Sequence, residues 1–165
     1  MIVKELYHKA EKTVKLLKEH DLTVATAESC TGGMVASYIT SVSGVSDIFE
    51  MGITSYSCRI KNEILGVNKN TLEKFGAVSK ETASEMAINI RRISGSDIGV
   101  SVTGAAGPDG SEGHPPGYVF IALAAEDTLK VKLLNIDPKS RNFVRESAVI
   151  AVFKLIEQYI KDNRE

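Results

Sequence analysis

The sequence predicts an α/β domain with a mixed, mostly parallel sheet that ends in an antiparallel hairpin. Three observations predict it. The apolar run Leu22 to Ala27 passes through a turn containing Gly32 and Gly33 into Met34, Val35, Tyr38, Ile39 and Val42 at helical spacing, which is a strand, a tight turn and a helix start. The β-branched run Asp97 to Thr103 breaks into the glycine-rich stretch Gly104-Ala105-Ala106-Gly107-Pro108-Asp109-Gly110. Gly117 to Ala125 and Leu129 to Ile136 are two apolar runs joined by Glu126-Asp127-Thr128, the pattern of a hairpin.

The other elements follow in order. Leu6, Ala10, Val14 and Leu17 share one face of an amphipathic helix over Ile2 to His20, with lysines and glutamates opposite. His8 and His20 belong to its solvated face, with no second ligand at metal spacing. Ile48 to Tyr56 reads as a second strand ending in Thr54-Ser55-Tyr56-Ser57, and Ile60, Ile64 and Leu65 as a short helix. Asn68 to Gly76 is a connector with one further helical turn. Ser79 caps a helix carrying Ala83, Met86, Ala87, Ile90 and Ile93 that stops near Gly95. Ser140 starts the last helix, whose Val144, Ala148, Ala151, Val152, Leu155, Ile156 and Tyr159 face inward.

Length and charge bound the function. The chain has 165 residues, 43% hydrophobic, enough for one core and expected to form a single domain over 1–165. The net charge of -1, the lack of a basic stripe and the absence of Trp argue against nucleic acid as a partner. No apolar run is long enough to cross a bilayer, and no signal-like segment opens the chain, so the expectation is a cytoplasmic protein with no membrane partner. Cys30 and Cys58 are expected as free thiols.

The chemistry concentrates at strand ends, where open α/β sheets gather their ligands. The turn Glu28-Ser29-Cys30-Thr31-Gly32-Gly33 leaves backbone N–H groups that could hold an anion, and it lifts Ser29 to the sheet edge. The plainer role for Ser29 or Thr31 is to cap the helix. Ser29, Tyr56 and Lys61 form a chemically coherent set: a hydroxyl nucleophile, a phenol to relay or orient a proton, and a base if burial lowers the lysine pKa. Cys30, beside Ser29, is the thiol alternative. The Gly104–Gly110 loop lacks the P-loop lysine and the dinucleotide glycine spacing, so its anion-binding reading competes with that of a plain loop. Asp109, Glu112 and His114 are read as solvated loop, with no metal site. Arg141 and Arg145, one turn apart, are either surface charge or a fork for a carboxylate or phosphate.

Four motifs occur together: Thr26-Ala27-Glu28-Ser29-Cys30-Thr31-Gly32-Gly33, Gly52-Ile53-Thr54-Ser55-Tyr56-Ser57 followed by Lys61, Gly76-Ala77-Val78-Ser79, and Val102-Thr103-Gly104 with Gly107-Pro108 and Gly110. In this order, from about Leu22 to the final helix, they resemble the CinA C-terminal domain family, the nicotinamide mononucleotide deamidases also called PncC. The resemblance implies a three-layer α/β/α domain, dimeric, that hydrolyses nicotinamide mononucleotide to nicotinic acid mononucleotide and ammonia without metal or organic cofactor. It implies Ser29 as nucleophile, Lys61 as base, Tyr56 as assisting phenol, and Thr103 and Arg141 on the substrate. With them go the amides of Cys30, Thr31 and Gly32, and Gly104 and Gly107 of the loop for the 5′-phosphate. Longer members carry a molybdopterin-type N-terminal domain with pyrophosphatase activity, which this sequence does not match. Met51 and Cys58 differ from the small or polar residues expected beside Gly52 and Ser57. The rival reading is a non-catalytic nucleotide- or partner-binding domain in a competence or DNA-damage response.

Overall fold

A computed structural model describes residues 2–164. Five strands, β1 (Val24–Glu28), β2 (Phe49–Thr54), β3 (Ile98–Gly104), β4 (Tyr118–Ala125) and β5 (Thr128–Asn135), form one sheet in the order β2-β1-β3-β4-β5. β1 pairs in parallel with β2 and β3, whereas β3–β4 and β4–β5 are antiparallel. The expected mixed sheet with its terminal hairpin is therefore observed, but with two parallel and two antiparallel pairings rather than a parallel majority. Ala125 pairs with Thr128, so the hairpin turn is the two residues Glu126 and Asp127 and Thr128 already belongs to β5.

Helices cover both faces. α1 (Ile2–Glu19), α2 (Met34–Thr40) and α6 (Arg141–Arg164) pack over one side, where Val24, Val100, Val102, Ile121 and Leu123 meet Leu6, Leu17, Val35 and Phe153. α5 (Lys80–Ser94) covers the other, against Ala25, Ala27, Ala122 and Ala124. The second face is built from small residues because α5 lies very close. A Cβ on Gly99 would come within 2.3 Å of the Ala87 carbonyl, and the Ser101 hydroxyl donates to the Ala83 carbonyl at 2.6 Å. The result is the three-layer arrangement.

The predicted caps at Ser79 and Ser140 are made: Ser79 Oγ accepts from the Thr82 amide at 3.1 Å and Ser140 Oγ from the Phe143 amide at 3.1 Å. The connector after the short helix α3 (Cys58–Glu63) holds two helical turns rather than one, α4 (Lys69–Phe75), because Asn68 supplies a side-chain cap to the Asn70 amide.

Capping of α2 is corrected. Neither Ser29 nor Thr31 caps it; the residue at its N-cap is Gly33, and the buried Glu28 carboxylate accepts from the amides of Gly33, Val35 and Ala36 at 3.1, 3.0 and 2.9 Å. Strand alternation explains it. Thr26 and Glu28 point to the same face as Val24, toward α2. A carboxylate at that point satisfies three of the orphan donors and faces the positive end of the helix dipole.

Candidate active site

The carboxyl ends of β1, β2 and β3 open on one crevice. β1 delivers Ser29 one residue beyond its last pair, and Glu28 pairs with Thr54 of β2 and Val102 of β3. A cleft of about 550 Å³ there is lined by Ser29, Tyr56, Lys61, Thr103, Gly107 and Arg141, among others, a volume in the range of small-molecule sites.

Its floor is the Ser29–Lys61 pair. Ser57 caps α3 by accepting from the Ile60 amide at 3.2 Å, and that short helix turns Lys61 inward. Lys61 is 0% exposed. Its Nζ donates to Ser29 Oγ at 3.0 Å, to the Ser55 carbonyl at 2.6 Å and to the Tyr56 carbonyl at 3.4 Å. Burial holds its pKa below the ordinary lysine value, against smaller opposing effects of Cys58, Cys30 and Glu112. No carboxylate makes an ion pair with it among the described residues. A buried amine with neutral partners favours its uncharged form.

The mouth is different. Tyr56 is 62% exposed, and its phenol accepts from Arg141 Nη2 at 3.0 Å and is not among the partners of Lys61 Nζ. Arg141 Nη1 donates to the Gly107 carbonyl at 2.6 Å. Arg141 thus joins Tyr56 to the Gly104–Gly110 loop across the cleft. Thr103 lines the cleft, but its hydroxyl donates to the Ala77 carbonyl at 2.7 Å and fastens the loop ahead of α5. Gly104 leaves no room for a side chain: a Cβ would meet the backbone of Val119 and Tyr118 at 2.6 and 2.7 Å.

Around the Ser29 turn, Gly32 and Gly33 have φ of 62° and 91°, conformations that suit glycine. The Gly32 amide donates to the Ser29 carbonyl at 3.0 Å. With the α2 amides taken by Glu28, the expectation that the helix start supplies free donors moves back to Cys30 and Thr31. Among the described residues, these amides donate to no carbonyl or carboxylate. The Cys30 thiol lies in the main core cluster, 5% exposed, and burial pushes its pKa up to about 11. That disfavours a thiolate and with it the thiol alternative.

Two side chains named in the sequence take partners that the sequence did not indicate. Arg145 donates through Nε to the Cys30 carbonyl at 3.1 Å and through Nη2 to the Thr31 carbonyl at 2.9 Å; its i+4 spacing from Arg141 was the available signal. Glu112 accepts from the amides of Ala77 and Val78 at 3.1 and 2.8 Å. The loop read as solvated is exposed at Glu112, yet tied by that carboxylate to the segment before α5. No group of three potential metal ligands assembles among the described residues.

Fold and site together define a small mixed-sheet α/β protein with a serine–lysine pair at the carboxyl edge of its parallel strands. The chain belongs to the CinA family: residues 6–160 match the CinA C-terminal domain. A CinA-like protein of Kosmotoga olearia is 46% identical over 149 residues, covering 90% of this chain and 36% of that one. The chain spans about a third of the length of the curated relatives it matches. Among solved structures, the competence/damage inducible protein CihA from Agrobacterium tumefaciens is 32% identical with a TM-score of 0.89, covering 93% of this chain and 94% of that one. The competence damage-inducible protein A (ComA) from Klebsiella pneumoniae is 26% identical with a TM-score of 0.93, covering 96% and 99%. No helix among the described residues is long and apolar enough to cross a membrane.

Proposed function

We propose that this protein is an amidohydrolase that converts nicotinamide mononucleotide and water to nicotinic acid mononucleotide and ammonia, serving pyridine nucleotide salvage as a cytoplasmic homodimer. The observation that carries the reading is the 3.0 Å contact between Ser29 Oγ and a fully buried Lys61 Nζ. An uncharged amine has two N–H bonds and one lone pair. Once Lys61 is uncharged, its two N–H groups serve the Ser55 and Tyr56 carbonyls, and the lone pair is left to accept from the Ser29 hydroxyl across the 3.0 Å contact. Lys61 takes that proton as Ser29 Oγ bonds to the carboxamide carbon, and the negative charge moves to the former carbonyl oxygen. The amides of Cys30 and Thr31 are the donors for this oxyanion.

Collapse of the tetrahedral intermediate breaks the C–N bond, and the Lys61 proton goes to the leaving nitrogen to give ammonia. Water then adds to the acyl carbon with Lys61 again as base, and Ser29 Oγ leaves with the proton. These steps use side chains, backbone amides and water. The 5′-phosphate is assigned to the cleft mouth, where Arg141 and the Gly104–Gly110 loop offer a guanidinium and backbone donors.

Ammonia release from nicotinamide mononucleotide by wild type, Ser29→Ala and Cys30→Ala tests the reading. Turnover is expected in wild type and Cys30→Ala, with a loss on the order of 10⁶ in kcat for Ser29→Ala. Undiminished activity in Ser29→Ala would sink the serine mechanism, and an inactive wild type would favour the nucleotide- or partner-binding domain.

A further inference from the structure

We infer that Arg145 is a positioning residue that orients the two amides serving the oxyanion; this rests on the serine–lysine reading above. The argument follows from peptide geometry. In a trans peptide unit the C=O and N–H bonds point in opposite directions, so fixing one fixes the other. Arg145 Nε holds the Cys30 carbonyl at 3.1 Å, and the N–H of that unit, which belongs to Thr31, therefore points away from the guanidinium. Arg145 Nη2 holds the Thr31 carbonyl at 2.9 Å, and the N–H of that unit, which belongs to Gly32, turns the opposite way and meets the Ser29 carbonyl at 3.0 Å. With the Ser29 carbonyl engaged by Gly32, the N–H of its own unit, which belongs to Cys30, points away from Gly32.

One guanidinium thus sets three consecutive peptide planes. The two amides it leaves without a carbonyl or carboxylate acceptor among the described residues, Cys30 and Thr31, are the ones beside the Ser29 hydroxyl in sequence. A charged donor on the carbonyl end of a peptide also polarises the N–H end and strengthens it as a donor.

The surroundings fit this task. Arg145 is half-buried and steadied by Nη1 donating to Asn142 Oδ1 at 3.1 Å. Gly32, at φ 62°, lets the chain take the turn that presents the Thr31 carbonyl to Nη2. On the far side of the turn, Glu28 takes the amides of Gly33, Val35 and Ala36 and so keeps the α2 end from moving with the turn. The planar fork is what the geometry uses, because its Nε and Nη2 donors are held coplanar by delocalisation, whereas a lysine presents one nitrogen with freely rotating donors.

The test uses wild type, Ser29→Ala, Arg145→Lys and Arg145→Ala, with three readouts: steady-state kinetics on nicotinamide mononucleotide, the Kd of nicotinic acid mononucleotide, and the Kd of pyridine-3-boronic acid. The boronic acid accepts Ser29 Oγ at boron while Lys61 takes the hydroxyl proton, giving an anionic tetrahedral boronate shaped like the oxyanion. In Arg145→Ala, kcat is expected to fall about 10²–10³-fold, the scale of a lost oxyanion donor. KM and the product Kd stay within about twofold, and the boronate Kd rises by the same factor as kcat falls. Arg145→Lys is expected to lie between wild type and Arg145→Ala on both scales.

Equal weakening of product and boronate, or a fall in kcat with boronate affinity unchanged, would overturn the inference, since a merely structural tether moves ground-state and oxyanion ligands alike. If wild type does not turn over the mononucleotide but binds the boronate through Ser29, the substrate assignment fails while the boronate ratio still decides Arg145. Boronate binding equal in wild type and Ser29→Ala would reject the serine reading and this inference together.

Discussion

The inner and outer halves of the cleft are made of similar polar residues and differ in water. Ser29 and Lys61 are 9% and 0% exposed, with their partners fixed by strand ends and a capped helix. Tyr56 and Arg141 are exposed; they meet each other, and Arg141 also reaches the Gly107 carbonyl. The chain crosses from one half to the other in a single step, from Ser55, 0% exposed, to Tyr56, 62% exposed. Inside, a low dielectric strengthens every electrostatic interaction and depresses the lysine pKa, which suits chemistry. Outside, water weakens each contact, which suits reversible recognition of a charged substrate.

The inner half is where the largest effects are expected. Lys61→Met should lower kcat about 10²–10⁴-fold, the range of a lost general base. In wild type, kcat/KM should rise with pH through the lowered Lys61 pKa, because the protonated amine has no lone pair, and level off below the ordinary lysine value of about 10.4. The same shift gives a stability signature. The unfolded chain binds a proton that the folded one has lost, so stability attributable to this group increases as pH climbs from the lowered pKa toward about 10.4. A pH–rate limb in the ordinary lysine range would break the comparison by showing that burial does not tune Lys61.

At the rim, effects should fall on binding. Arg141→Ala is expected to raise KM for nicotinamide mononucleotide about 10–100-fold, the worth of a charge-assisted hydrogen bond. KM for nicotinamide riboside, which has no phosphate, should change far less. Equal effects on both substrates would remove the phosphate from Arg141. The smallest change is Tyr56→Phe, which deletes the acceptor for Arg141 Nη2 and should raise KM about 3–10-fold with kcat unaltered. A large fall in kcat would instead put the phenol to work in proton transfer and join the two halves functionally.

Much of this architecture was legible because it is local. Alternating apolar runs, the Ser79 and Ser140 caps and the Glu126-Asp127 turn each depend on residues a few positions apart, so the strands, the major helices and the hairpin could be read along the chain. Ser29, Tyr56 and Thr103 could be named for the same reason, since each stands where a strand ends, whereas Lys61 lies on α3 and Arg141 opens α6. Their partners could not. Thr31 has the chemistry of a cap, yet Glu28 wins the α2 amides because strand alternation aims its longer side chain there. Thr103 has a free hydroxyl on paper, but folding brings it to the Ala77 carbonyl, 26 residues away.

The sequence by itself determined the order of strands and helices, the glycine turn after β1 and the chemical character of the residues at each strand end, since these follow from backbone propensity and periodicity. Only the tertiary structure decided that Lys61 reaches Ser29 across 32 positions and that Arg145 reaches the carbonyls of Cys30 and Thr31 across 115 and 114. A hydrogen bond forms only within about 3.5 Å and over a limited range of directions, and such distances between remote residues exist only once the sheet and helices have packed.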